Sequence, residues 1–249
     1  MIKKKRLDIQ KLTVIGVLGA ISVVLGLTPL GFIPIGPTRA TIMHIPVIIG
    51  AIVEGPIVGA FVGLIFGLSS IYQAITTPTP VSFVFLNPLV SVLPRVLIGV
   101  TTYYTYKGLS NLGQKNTFRL LNLIWVVITA YLAYGIYQNI VVFTTIWPVL
   151  INIVLLLIVY SMIYFTAKKL KTKALDVIVA TVVGTMTNTV GVLTMIYLLF
   201  GERFVEAIGQ SKEFALKVIV AIGVTNGIPE SIIAIIIVTS VVVALKRKR

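Results

Sequence analysis

The chain has 249 residues, of which 57% are hydrophobic and only 11% charged, and its mean hydropathy is +1.06. Soluble domains carry about 25% charged residues, so this sequence lacks a water-facing surface and reads as a single polytopic membrane domain over 1–249. The net charge of +14 sits in short clusters between apolar runs and not in a stripe interleaved with aromatics, which argues against a nucleic-acid partner. The absence of cysteine excludes disulfides, Cys–zinc sites and thiol chemistry.

Lys3, Lys4, Lys5 and Arg6 precede the first apolar run, but Leu27-Thr28-Pro29 is no small-residue cleavage site, so a retained first helix is expected. Eight apolar segments follow one another at about 12–28, 41–54, 56–74, 87–107, 119–141, 145–167, 175–200 and 215–245. Pro29, Gly31, Pro34, Gly36 and Pro37 break the chain after the first, Gly55-Pro56 after the second, and Pro78 and Pro80 after the third. An all-α bundle is predicted, because backbone polar groups in lipid must pair within the chain and the short alternating segments of a barrel are missing.

With the N-terminus placed in the cytoplasm, sixteen of the 21 basic residues fall on the inner side: Lys3 to Lys11, Lys107 to Arg119, Lys168 to Lys173, and Lys246 to Arg249. The remainder are Arg39, Arg203, Lys212 and Lys217 on the outer side and Arg95 within a helix. This asymmetry predicts a multi-pass protein with both termini cytoplasmic. Segment 41–54 is short, at roughly 21 Å of helix; it is expected to cross by extending back towards Thr38 or tilting, with partial re-entry as the alternative.

Ionisable groups at mid-helix cost about 2.5–3.5 kcal/mol on insertion scales, and so mark function. Arg95 and Glu230 are such groups. Asn87, Ser91 and Arg95 recur at four-residue intervals along one helix face. Asn226 lies one turn before Glu230, and Asn188 sits among Thr185, Thr187 and Thr189 in segment seven. These patches fall at similar depth and predict one cavity in the outer half of the bundle. A buried Arg95–Glu230 pair that only neutralises itself is the structural alternative. Arg39, His44, Tyr72, Gln73, Phe83 and Phe85 form an outer cluster of further candidate contacts.

His44 is the only histidine, so a multi-His metal site is excluded, and nothing calls for a cofactor. The seven acidic residues include no carboxylate pair on one helix face at depth; no H-E-x-x-H, nucleophile–His–acid set or G-x-x-x-x-G-K-[ST] loop is present. No catalytic residue is expected, and any ATPase would be a separate chain. Gly16 and Ala20 form a small-xxx-small pair in the first helix, and Gly59, Gly63 and Gly67 repeat the spacing in the third. Such faces allow close helix approach, within this chain or to another membrane subunit.

Thr41-Ile42-Met43-His44-Ile45-Pro46, Glu54-Gly55-Pro56, Gly59-Ala60, Gly63 and Phe66-Gly67 resemble the second and third helices of substrate-binding (S) components of energy-coupling-factor (ECF) importers. Asn87-Pro88, Leu93-Pro94-Arg95 and Gly184-Thr185-Met186-Thr187-Asn188-Thr189 do so too. The resemblance implies a six-helix core, about 10–107 and 174–245, that binds a vitamin from outside the cell at the plasma membrane. It further implies a transmembrane coupling (T) subunit and two cytoplasmic ATPases, with Gly16 and Ala20 at the position of the family's small-residue contact for the coupling subunit. By the same match, about 29–40 and 75–86 cap the ligand. The segments at about 117–168 depart from the family's pattern as an inserted helical hairpin, giving eight helices. The motifs are most similar to the pantothenate-type branch, and an arginine in the cavity suits a carboxylate. Other vitamins (folate, pyridoxine, cobalamin, riboflavin) and a stand-alone ion-coupled transporter with Glu230 as proton carrier are the alternatives, with a lipid-acting membrane enzyme lacking any reactive set.

Overall fold

A computed structural model describes residues 9–35, 38–113, 116–119 and 172–247, with scattered positions between 122 and 164. Helix α1 spans Ile9–Leu27, α2 Ile45–Glu54, α3 Pro56–Thr76, α4 Pro88–Ser91, α5 Leu93–Leu112, α6 Thr172–Ala207 and α7 Ala215–Arg247. Four described stretches are long and apolar enough to cross a membrane: Ile9–Leu27, Pro56–Thr76, Ala174–Ala207 and Lys212–Leu245. The apolar segments expected over 119–141 and 145–167 fall, scattered positions apart, outside the described residues.

The spanning elements are helical, as expected, but the connection after α1 is not a plain loop. Phe32–Ile35 (β1) and Thr38–Thr41 (β2) pair antiparallel, with Phe32 opposite Thr41 and Arg39 opposite Pro34. The amide of Ile42 donates to the Gly31 carbonyl at 3.0 Å and closes the base of this hairpin. Pro34 looks like a breaker in sequence, yet a two-stranded ribbon tolerates it because each strand has a free edge.

The chain divides into two compact units, one of residues 1–107 and 177–249, the other of 108–176. In the second, Gly113, with φ 74°, ends α5, and Thr117 Oγ1 donates to the Leu109 carbonyl at 3.2 Å. A left-handed residue after a last turn is the usual helix stop.

In the first unit α2 has only 10 residues, about 15 Å of helix, and Ile45 to Ile52 are all buried. It is a core element and too short to span alone. Pro46 stands in its first turn, where its missing N–H would have had no helical acceptor. Gly55, at φ 107°, turns the chain directly into α3. Lipid tails are as apolar as these side chains, so helix association rests on close packing more than on burial. The glycines of α3 supply it: a Cβ on Gly59 would strike Ala51 and Gly99, one on Gly63 the Arg95 backbone carbonyl, and one on Gly67 the Ser91 carbonyl and Val92. The stripe is therefore used inside the chain, against α2, α4 and α5. On α1, Ile15, Gly19, Ser22 and Gly26 are buried, whereas a Cβ on Gly16 would meet nothing within 4 Å and Ala20 is exposed.

Two apolar clusters fill this unit. One gathers α2 and α3 with Ile15, Ile98, Val177, Ala234 and Val238; the other joins Val84 and Val90 to Val192, Phe204 and Ile219, where α6 ends and α7 begins.

Candidate binding site

The same unit contains a layer of buried polar side chains: Ser91, Arg95, His44, Thr185, Asn188, Thr189 and Glu230. Its position follows from the backbone. α4 and α5 are nearly continuous, broken at Val92, and Asn87 starts them as an N-cap whose Oδ1 accepts the Leu89 amide at 2.9 Å. Ser91 Oγ donates to the Phe85 carbonyl, and Arg95 Nη1 donates to the Val90 carbonyl. The Arg95 guanidinium lies 5.4 Å from the Phe66 ring centroid and 5.9 Å from that of Phe85. Rings so placed offer their electron-rich faces to a cation removed from water. Arg95 Nε has no protein partner.

His44, at the N-terminus of α2, makes no capping bond; its Nε2 meets Thr185 Oγ1 of α6 at 3.1 Å, and its Nδ1 is unpartnered. Glu230 follows Pro229 in α7. Its Oε1 accepts the Thr41 amide at 2.7 Å and its Oε2 accepts Thr189 Oγ1 at 3.1 Å. Arg95 is near enough to His44 and to Glu230 for its charge to act on each of them. Even so, among the described residues Arg95 and Glu230 form no ion pair within 4 Å. At hydrogen-bond distance Arg95 meets the Val90 carbonyl, and Glu230 meets Thr41 and Thr189. Asn188 Oδ1 and Asn226 Oδ1, one turn or less from Thr189 and Glu230 along their helices, are buried without partners. Natural folds pair nearly all such atoms, so each orphan asks for an explanation.

Other candidates stand elsewhere. Tyr72 is 57% exposed on α3, and Gln73 Nε2 donates to the Gly26 carbonyl at 2.6 Å, tying α3 to α1. Phe83 stacks edge-on against Phe200 at 5.9 Å, with the Arg203 guanidinium 4.2 Å from its ring centre. Arg39 is placed by the backbone in β2. Arg203 and Phe66 gave no functional signal in sequence, one resembling a loop charge and the other core.

A cleft of about 370 Å³ runs between α6 and α7, walled by Met186, Val190, Leu193, Val220 and Val224, with Thr189 in its lining. Arg95, Asn188, Asn226 and Glu230 do not line it.

The sequence profile described as "ECF transporter, substrate-specific component" matches residues 10–152 and 120–242. The chain belongs to this family. Two curated relatives are similar to it. The pantothenic acid transporter PanT of Lactococcus lactis subsp. cremoris is 29% identical over 227 residues, 86% of this chain and 81% of the relative. The pantothenate transporter PanT of Leuconostoc mesenteroides subsp. mesenteroides is 40% identical over 77 residues, 30% of this chain and 37% of the relative. Membership in a substrate-specific component family makes the buried polar layer the natural place to look for the substrate contact, because elsewhere in the first unit the described interior is dominated by apolar side chains.

Proposed function

We propose that this ECF substrate-specific component captures a pantothenate-like carboxylate from outside the cell, with Arg95 as its charge partner. The observation that carries the reading is that Arg95, His44, Asn188 and Asn226 have buried, unpartnered polar atoms; among the described residues Thr102, Ser231 and Thr239 have them too. A ligand bearing one carboxylate, an amide and hydroxyls carries groups of the kinds these atoms take. The carboxylate would take the guanidinium in a charge-assisted bond, and the amide and hydroxyls the neutral groups. The names of both relatives support the same ligand class. Ser91 and Phe85 stand beside Arg95, and Asn87, Gln73, Phe83, Arg39 and Tyr72 are further candidate contacts.

In this reading α1, α2, α3, α4–α5, α6 and α7 are the six-helix core, 117–168 adds a hairpin for eight helices in one polytopic domain, and both termini face the cytoplasm at the plasma membrane. Delivery passes through a transmembrane coupling subunit docked on the open Gly16–Ala20 face, driven by two cytoplasmic ATPases; this chain hydrolyses nothing itself. Mass spectrometry of small molecules released by denaturing the purified protein tests the ligand. Pantothenate or a close carboxylate is expected, and a ligand with no acidic group, such as riboflavin, would contradict the role given to Arg95.

A further inference from the structure

The cleft between α6 and α7 is lined almost wholly by apolar side chains, and its dimensions are those of a slot in one half of a membrane. Its α6 wall, Met186, Val190, Leu193 and Tyr197, follows the spacing of one helix face. Its α7 wall runs from Leu216 to Ile228. Between those two positions a helix rises about 18 Å, close to one leaflet's half of a hydrocarbon core about 30 Å thick. The wall occupies the first half of the apolar stretch Lys212–Leu245. The helices approach closely at its floor: a Cβ on Gly223 would stand 3.0 Å from Leu193. Val190, Val220 and Val224 are all more than half exposed, so the slot opens sideways.

A cation stands at the end of this slot nearest the α6–α7 connection. Lys217 is exposed, follows Leu216, and shares a helix face with Val220 and Val224, three and seven residues on. Its Nζ lies 5.6 Å from the Phe214 ring centroid. The neighbouring Lys212 is already paired, at 3.2 Å from Glu206 and 3.7 Å from Glu202. Among the described residues Lys217 forms no ion pair within 4 Å, with Glu213 or any other carboxylate. It also stands near the start of α7, whose first turn has no acidic residue. A cation there opposes the helix dipole, and an anion would offset both.

We propose that this cleft binds one acyl chain of an anionic phospholipid, whose phosphate pairs with Lys217. The site is separate from the polar layer and does not depend on which vitamin that layer takes. Native mass spectrometry of the protein ejected from nanodiscs of equal parts phosphatidylglycerol and phosphatidylcholine tests it. The wild type retains phosphatidylglycerol over phosphatidylcholine by roughly fivefold, the scale of one basic side chain at an anionic lipid surface. Lys217→Gln abolishes that preference, and Val224→Trp, which fills the slot from an exposed position, abolishes retention. Lys107→Gln removes a cation 5.7 Å from the Tyr103 ring and outside the cleft, and keeps the wild-type pattern. Ile236→Trp, at another exposed position of α7 outside the cleft, also keeps it and guards against a general effect of added bulk. Equal retention of both lipids by the wild type, or a preference that survives Lys217→Gln, would overturn the proposal. So would a wild-type dimer that Val224→Trp dissociates, because the slot would then hold a second copy of the chain.

Discussion

Arg95 is held by a carbonyl and two aromatic faces, which suits the role proposed for it as partner of an anion. A tight salt bridge to Glu230 would have to be broken by the ligand, and breaking a buried pair costs several kcal/mol. Interactions with Phe66, Phe85 and the Val90 carbonyl leave Nε uncommitted. His44 follows a similar pattern, with one ring nitrogen on Thr185 and the other unpartnered. Replacing His44 by Phe strands the buried Thr185 hydroxyl and should lower stability by about 1–3 kcal/mol, whereas adding Thr185→Val should recover much of that, because two apolar groups leave nothing unpaired. Thermal unfolding of the two single variants and the double variant in detergent reads the difference; additive losses would mean the two side chains do not interact. Sequence made Arg95 and Glu230 visible, since ionisable groups in apolar helices stand out. It could not reveal that Glu230 serves a distant backbone amide, because a backbone donor has no side-chain signature.

Among the elements, α1, α3, α6 and α7 were legible from apolar runs of the right length and from the Gly and Pro residues between them. The short second segment was also legible, although α2 is shorter still, at 10 residues. The β1–β2 hairpin was not, because its prolines mimic the punctuation of an irregular loop. The glycine stripe of α3 could have served this chain or a partner, and sequence spacing alone does not choose. The structure does: Gly63 lies against the Arg95 backbone. Gly63→Ala should therefore push α3 from α5, lowering the thermal midpoint by an amount equivalent to about 1–3 kcal/mol of overpacking and weakening ligand binding with it. Gly16→Ala, on the open face of α1, is the matched control and should leave the midpoint in place; equal effects at both positions would refute the assignment of the stripe to internal packing.

For the whole molecule, the proposed function gives the open face of α1 to assembly, while the closed stripe of α3 packs inside the chain. Gly16→Leu should leave the isolated chain's stability and ligand affinity unchanged while abolishing co-purification with a coupling subunit and the uptake that depends on it. Retained uptake would place that contact elsewhere. The account stands or falls on whether Arg95 meets an anion. Isothermal titration of pantothenate into the purified wild-type protein and into Arg95→Met is the most direct measurement. The account predicts saturable one-to-one binding by the wild type and a loss of about 1.5–3 kcal/mol in the variant, the range for a hydrogen bond to a charged group. Equal affinity in a folded Arg95→Met protein would contradict it.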